Sequence, residues 1–301
     1  MPKGISKEFQ NIVKRTAPNP FYTEEKGCLF LGDSIEVLKR IKDSSVDLVF
    51  ADPPYSIKKA DWDTFENQEE YIKFSNKWIK EASRILKDTG TLYVCGFSEI
   101  LADIHRPAMK YFYNCRWLIW YYKNKANLGN DWGRSHESIL CLRKSKNHIM
   151  NVDSVRIPYN THTLKYPART QAETSQYGNG KERGEWTPNP LGAKPKDVIE
   201  IPTTCNGMGE KTPHPTQKPE ELLRKIILAS SNKRDVILDP FVGSGTTAVC
   251  AKQLERQWIG IDKSEEYLNW TVERLEKVQR KTIEEWIQYD KSIVSRRETI
   301  R

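Results

Sequence analysis

Val46-Asp47-Leu48-Val49-Phe50-Ala51-Asp52-Pro53-Pro54-Tyr55 is the stretch on which the fold of this 301-residue chain turns. A β-branched and aromatic run that halts at two prolines reads as a buried strand ending abruptly at its carboxyl end. Neither proline donates a backbone hydrogen bond, and each biases the residue before it towards extended geometry. The strand tip is therefore a rigid corner offering the Asp52 carboxylate, unpaired carbonyls and the flat ring of Tyr55. Such a corner suits a planar amine that must donate hydrogen bonds. A plain strand followed by a proline turn carries the same pattern, so the rest of the chain has to decide.

On the amino-terminal side, residues 1–26 read as a polar, irregular arm, and 28–31 as a short strand stopped by Gly32-Asp33. Ile35, Val37, Leu38 and Ile41 then recur at helical spacing. On the carboxyl-terminal side, a helix over 67–87 turns Tyr71, Phe74, Trp78, Ile79, Ala82 and Leu86 inward. Strands follow at 91–95 (ended by Gly96), 116–122 and 137–142, with a helix at 99–110. From 146 to 212 the periodicity fades into Pro, Gly, Asn, Thr and Lys, with Tyr159, Tyr166, Tyr177 and Trp186 interspersed. So long an irregular stretch is functional or disordered, and its aromatic and basic residues favour a binding surface.

His214-Pro215-Thr216-Gln217-Lys218-Pro219 then leads into a helix over 220–231, with Pro219 at its first position. A strand at 235–239, a helix ending near 255, a strand at 258–262 and one long charged helix from about 264 complete the pattern; Tyr267, Leu268, Val272, Leu275 and Val278 share a face of the last. Strands alternating with helices argue for a mostly parallel sheet covered on both faces. Ligands of such sheets bind beyond the carboxyl ends of the strands. Asp33, Asp52, Gly96, Asp239 and Asp262 all fall at those ends, which points to one shared cleft. Capping of the following helix is the competing reading for Asp33 and Asp262.

Asp239-Pro240-Phe241-Val242-Gly243-Ser244-Gly245-Thr246-Thr247 is a strand end, a tight glycine turn and a helix start. Glycines there permit positive φ and close approach of a ligand, and the helix amides favour a carboxylate or phosphate. No Lys follows the last Gly, so it is not a P-loop, and the spacing misses the dinucleotide fingerprint. Asp262 nevertheless stands about where an acid would grip ribose hydroxyls. A nucleoside with an amino-acid tail, S-adenosylmethionine, fits that combination better than a dinucleotide.

The chain carries 48 Lys and Arg against 40 Asp and Glu, a net +8. Between Arg106 and Lys211 the count is 17 against nine, leaving 31 against 31 elsewhere, so the whole excess lies mid-chain. A polyanion partner is one cause of such an excess, and a solvated basic surface is the other. The six cysteines are scattered without a Cys-x-x-Cys pair; those at 28, 95, 141 and 250 lie in apolar segments and read as buried thiols, not metal ligands. No apolar run approaches a membrane span and the start lacks an apolar signal region, so the expected location is cytoplasmic.

In this order, Asp-Pro-Pro-Tyr at 52–55, His-Pro-Thr-Gln-Lys-Pro at 214–219 and Asp-Pro-Phe-Val-Gly-Ser-Gly-Thr-Thr at 239–247 resemble the beta-class amino-methyltransferases of DNA. The resemblance spans about 28–280 and takes in Gly32-Asp33, Asp61-Trp62-Asp63 and Gly133-Arg134-Ser135-His136-Glu137. It implies an α/β, circularly permuted class I S-adenosylmethionine-dependent methyltransferase: a Rossmann-like doubly wound sheet with an inserted target-recognition region. The catalytic half would be 1–145, the target-recognition insert 146–212 and the cofactor half 213–301.

By that resemblance, Asp52 and the carbonyl of Pro53 accept hydrogen bonds from an exocyclic amine, Pro54 stiffens the corner and Tyr55 stacks on a base flipped out of duplex DNA. Asp33 and Asp52 border the cofactor, Asp33 on its adenine side, and Asp262 holds its ribose. Asp239, Phe241 and the turn Gly243, Ser244, Gly245 and Thr246 wrap the methionine end, with Thr216 and Lys218 nearby. His214 either touches the cofactor or only positions the chain. No metal is called for. The leading Asp of the corner is typical of adenine N6 enzymes, and a leading Ser of cytosine N4 enzymes, which are the runner-up. Lys58, Lys59 and Trp62 border the flipped base or belong to a solvated loop. A cognate restriction endonuclease and a second copy of the chain are the candidate protein partners. An RNA or protein methyltransferase and a non-catalytic DNA-binding module are the competitors from other classes.

Overall fold

The computed structural model describes residues 7–55, 64–122, 130, 132–167, 186–205, 208–279 and 281–299. Contacts divide the chain into a unit of residues 1–150 with 197–301 and a unit of 151–196.

The first unit is built on a mixed sheet. Its strands are β1 (Tyr22–Glu24), β2 (Gly27–Leu31), β3 (Val46–Ala51), β4 (Leu86–Gly96), β5 (Asn114–Tyr121), β6 (His136–Arg143), β7 (Val198–Glu200), β8 (Val236–Asp239) and β9 (Gln257–Asp262). They lie in the order β1-β2-β9-β8-β3-β4-β6-β5-β7. β2, β9, β8, β3 and β4 run parallel to one another, whereas β1 is antiparallel to β2 and β6 is antiparallel to both β4 and β5. All six residues of β3 and all four of β8 are buried, as central strands covered on both faces require. The polar exception in β3, Asp47, accepts from both Lys87 Nζ (2.8 Å) and the Val236 amide (2.8 Å), so it ties three strands at their amino ends.

Two groups of helices cover the sheet. α1 (Ser34–Leu38), α2 (Gln68–Ile85) and α3 (Ser98–Ala108) pack in sequence against one another, as do α5 (Glu220–Ser230), α6 (Thr246–Gln253) and α7 (Glu265–Glu276). The buried stripe of α2 holds Tyr71, Trp78, Ile79 and Ala82, and Asn67 starts the helix by accepting from the Glu70 amide. The strands that lead into the Asp52 corner and the glycine turn, remote in sequence, are direct neighbours: Leu48 and Val49 of β3 pair with Ile237 and Leu238 of β8. This is the permuted, doubly wound α/β arrangement expected.

Four details differ from expectation. The amino-terminal stretch is not wholly irregular: a 3-10 turn at Glu8–Asn11 buries Phe9, and β1 pairs with β2. Val198–Glu200, inside the stretch without periodicity, pairs with β5; three residues are too few to show a period. Pro219 is the N-cap of α5, one position earlier than expected. The last helix is two, α7 and α8 (Ile283–Thr299). A capping box makes the break: Thr282 Oγ1 accepts from the Glu285 amide (3.1 Å), and Glu285 accepts from the Thr282 amide (2.6 Å).

The second unit contains a 3-10 turn at Val152–Val155 and the short helix α4 (Thr161–Lys165), capped by Asn160, whose side chain accepts from Thr163. Ile157 bridges Ala193, and Arg156 donates to the Gly192 carbonyl, closing the unit on itself.

Candidate active site

The carboxyl ends of β3, β8 and β9 open onto a cavity of about 530 Å³. Asp52 and Pro54, Asp239 and the turn after it, and Asp262 line it from the sheet; Gly32 and Ser34 line it from the end of β2. The strap 214–218 forms a second wall, and Phe50, Phe65 and Phe74 an apolar one. Phe241 projects into the cavity with Trp78 at its back, ring centroids 5.4 Å apart and nearly perpendicular.

The glycine turn is fixed by sterics. Gly243 has φ +50° and Gly245 φ +80°. A Cβ on Gly243 would lie 2.9 Å from His214 Nε2, and one on Gly245 only 2.5 Å from Thr271 Cγ2. Both positions therefore need glycine for conformation and for space. Thr271 donates to the Gly243 carbonyl (2.9 Å), and Arg274 donates to the Ser244 carbonyl (2.7 Å) and to Thr246 Oγ1 (3.0 Å). Thr246 in turn donates to the Lys218 carbonyl (3.0 Å), which welds the strap to the turn.

The strap is organised by Gln217, whose side chain accepts from the Thr212 amide and donates to the Glu210 carbonyl. His214 lines the cavity with its edge against Tyr267 at 4.5 Å. Burial, reinforced by Lys218, Lys211 and Arg274, lowers its pKa to about 4, so the ring is neutral at pH 7. Its Nδ1 accepts from the Thr216 amide, a contact that shapes the chain.

The carboxylates divide into three kinds. Asp33 caps α1 through the Ile35 and Glu36 amides and pairs with Lys263 at 2.8 Å. Burial raises its pKa, but Lys263 and those amides outweigh burial and leave the carboxyl below its ordinary range. Asp33 does not line the cavity; Gly32 and Ser34 on either side do. Asp239 and Asp262 face the cavity with neutral donors: Asp239 accepts from the Phe241 amide (2.9 Å) and the Thr247 hydroxyl (2.5 Å), and Asp262 from the Gly243 and Ser264 amides (both 2.9 Å). Burial pushes Asp239 up to about 7 and raises Asp262 as well. A cationic ligand beside them would restore both to full ionisation.

Asp52 belongs to the third kind, a buried charge cluster. Lys218 Nζ donates to its Oδ2 at 2.6 Å and lies 3.3 Å from Glu137 Oε2. The Tyr55 hydroxyl donates to Asp52 Oδ1 at 2.5 Å and stands 3.2 Å from the same Glu137 oxygen. Burial raises the Asp52 pKa and Lys218 opposes the rise; the two carboxylates hold Lys218 protonated far above neutrality. Tyr55 is buried, its ring edge-on to Phe97 at 5.1 Å, so it supports the corner from inside. Pro53 is buried too, while Pro54 lines the cavity.

Asp52, Thr216, Lys218, Asp239, Phe241, Gly243, Ser244, Thr246 and Asp262 thus meet at one cavity. Gly96 lies off it, packed against Leu101. Lys58, Lys59 and Trp62 lie outside the described residues. Sequence reasoning gave no role to Glu137, Arg274 or Gln217. Glu137 sits at the amino end of β6, which antiparallel pairing of Gly96 with Ser138 carries to the carboxyl edge of the sheet.

A family model described as DNA methylase, of the N6/N4 amino-methyltransferase type, matches residues 46–273. The chain belongs to this DNA methylase family. It is 34% identical over 256 residues to the Type II methyltransferase M1.MboII of Moraxella bovis, covering 78% of this chain and 90% of that one. It is 33% identical over 272 residues to the DNA adenine methyltransferase YhdJ of Escherichia coli K12, covering 89% and 88%. Its fold matches that of the PvuII DNA methyltransferase (cytosine-N4-specific) with TM-score 0.66 at 18% identity, over 91% of this chain and 94% of that one. Among the described residues no helix is long and apolar enough to cross a membrane.

Proposed function

We propose that this chain transfers a methyl group from S-adenosylmethionine to the exocyclic N6 of adenine in duplex DNA. The observation that carries the reading is the Asp52 carboxylate, paired with Lys218 at 2.6 Å on the edge of a cavity whose other carboxylates, Asp239 and Asp262, have only neutral donors. The fit to the cofactor rests on that charge arrangement and on the two glycines. A net-cationic ligand suits Asp239 and Asp262, and glycine at 243 and 245 lets the turn take the positive φ that shapes this wall of the cavity. Bound S-adenosylmethionine supplies a methyl group on an electrophilic sulfonium. Asp262 would hold the ribose hydroxyls, Asp239 the ammonium end, and Phe241 the apolar flank.

The chain's own contribution to chemistry is positioning. An exocyclic amine of a nucleobase delocalises its lone pair into the ring and is a poor nucleophile. Asp52 and the Pro53 carbonyl, accepting its two protons out of the ring plane, would draw the nitrogen towards tetrahedral geometry and free the pair for in-line attack. The amine must leave the duplex to reach the corner. The leading Asp of the corner supports adenine, as does the likeness to a relative named a DNA adenine methyltransferase. The mid-chain basic excess supports duplex DNA, with residues 146–212 as the target-reading region. The Type II name of M1.MboII supports work beside a cognate restriction endonuclease.

The test is transfer of labelled methyl from S-adenosylmethionine to DNA, RNA and protein in parallel, followed by identification of the modified nucleoside. N6-methyladenine in DNA is the expected product. N4-methylcytosine would overturn the choice of base, and label in RNA or protein alone would overturn the DNA reading.

A further inference from the structure

Glu137 has no task in the scheme above, yet it is buried, ionisable and in contact with both partners of Asp52. It does not line the cofactor cavity. A single Tyr55 hydroxyl proton stands between two carboxylate oxygens, 2.5 Å from Asp52 Oδ1 and 3.2 Å from Glu137 Oε2, and at any moment it is donated to one of them. Lys218 is likewise shared between the two acids. With one cation and two carboxylates, the cluster carries net −1, and gaining one proton would make it neutral.

We propose that Glu137 is the final acceptor of the proton that amine methylation displaces, reached from Asp52 through the Tyr55 hydroxyl. This rests on the amine-methylation reading of the site. Forming the N–CH3 bond breaks the S–CH3 bond, leaves the electron pair on sulfur and places a positive charge and one proton too many on nitrogen. That N–H bond breaks as Asp52 takes the proton. Asp52 then gives a proton to the Tyr55 oxygen while the Tyr55 hydroxyl proton passes to Glu137. The end state is an ionised Asp52, a neutral Tyr55 and a protonated Glu137. Asp52 is returned to the form that accepts from an amine and pairs with Lys218. Without the transfer Asp52 would remain a neutral acid 2.6 Å from the buried ammonium, which would keep only its longer, 3.3 Å contact with Glu137.

The other groups facing Glu137 do not compete for the proton. Cys95 of β4 and Tyr122, which follows β5, both have pKa values raised by burial, Tyr122 to about 12, and stay neutral under working conditions. Lys218 from the strap is held protonated, and His136, the preceding residue, is turned to Ser98 Oγ at 3.4 Å.

The experiment compares Glu137→Gln, Tyr55→Phe, the double variant and Glu137→Asp for methyl transfer to DNA across pH, with cofactor affinity measured by calorimetry. Each single variant should lose roughly a hundredfold in kcat, within the range typical of a positioned acid or base. Cofactor affinity should be unchanged. The double variant should fall no further than the worse single one, because both remove the same path. The acidic limb of the kcat profile should move in Glu137→Gln, and Glu137→Asp should recover part of the rate. Wild-type kcat in Glu137→Gln, multiplying losses in the double variant, or affinity falling in step with rate would each overturn the relay. If the unaltered protein methylates no DNA amine, the proposed function itself fails; a failed relay leaves that activity intact.

Discussion

Replacing Lys218 with Met removes the only cation within reach of two buried carboxylates among the described residues, and the consequences can be worked out in sign and size. Its ammonium lies 2.6 Å from Asp52 and 3.3 Å from Glu137, with 6% of the side chain exposed. At an effective dielectric near 20, each attraction at those distances is roughly 5–6 kcal/mol before desolvation is subtracted. Removing one partner of a buried pair costs about 3–5 kcal/mol, because the stranded charge keeps its desolvation penalty. Lys218 has a folded pKa above its unfolded value, so its stabilisation is fully present below about pH 10.4 and is lost only above it. In the variant the linkage moves to the acids. The folded pKa of Asp52, already raised by burial, climbs further above an unfolded value of about 4, so stability falls as pH climbs from there to the new folded value. Denaturant melts should therefore show a loss of about 3–5 kcal/mol near pH 8 and a clearly smaller one near pH 5.5. Transfer should be weak at neutral pH, where a protonated Asp52 donates instead of accepting, and should recover on the alkaline side. A loss under about 1 kcal/mol at pH 8, or an equal loss at both pH values, would refute the account of the cluster.

Other expected outcomes are simpler to read. Asp52→Ala should abolish methyl transfer while leaving cofactor affinity, measured by calorimetry, largely intact; equal loss of both in a folded variant contradicts its place at the corner. Gly245→Ala forces a Cβ to 2.5 Å from Thr271 Cγ2 at φ +80°, and thermal melts should report a cost of about 1–3 kcal/mol together with weaker cofactor binding. Asp239, raised to about 7 by burial, should ionise when a cationic cofactor binds. Affinity should then rise between about pH 6 and 8 with net proton release, and Asp239→Asn should lose that pH dependence. Because the folded pKa exceeds the unfolded one, the cofactor-free protein should also lose stability over about pH 4 to 7 through this group.

Legibility in the sequence followed the range of the interactions involved. The glycine turn was readable because its cause is local: positive φ at Gly243 and Gly245, a helix start at Thr246 and an acid ending the strand before it. The Asp52 corner was readable because two prolines fix the chain by themselves. Glu137 was not, since the rule that sites gather at carboxyl ends of strands holds for parallel ones. β6 is antiparallel and delivers its amino end to the same edge, and nothing in 136–143 announces its direction. Asp33 was placed at the right strand end, but the length of its side chain and the two free amides of α1 turn it to capping. The break before α8 did have a local signal, Thr282-Ile283-Glu284-Glu285, masked by apolar spacing that runs on through Val278.

Lys218 shows why the permuted order of motifs does not loosen the site. Its carbonyl accepts from Thr246 in the cofactor turn and its ammonium holds Asp52 in the catalytic corner, so one residue of the strap reaches both. Pairing of β3 with β8 sets the distance it has to span. The glycine turn and the Asp52 carboxylate are thus linked through a single residue, its backbone on one side and its side chain on the other. Arg274 extends the connection away from the cavity: it grips Ser244 and Thr246 and pairs with Glu220, which pairs with Arg224 and through it with Asp290 of α8. The turn is thereby braced at its Ser244 carbonyl and Thr246 hydroxyl by a chain of buried ion pairs that reaches α8.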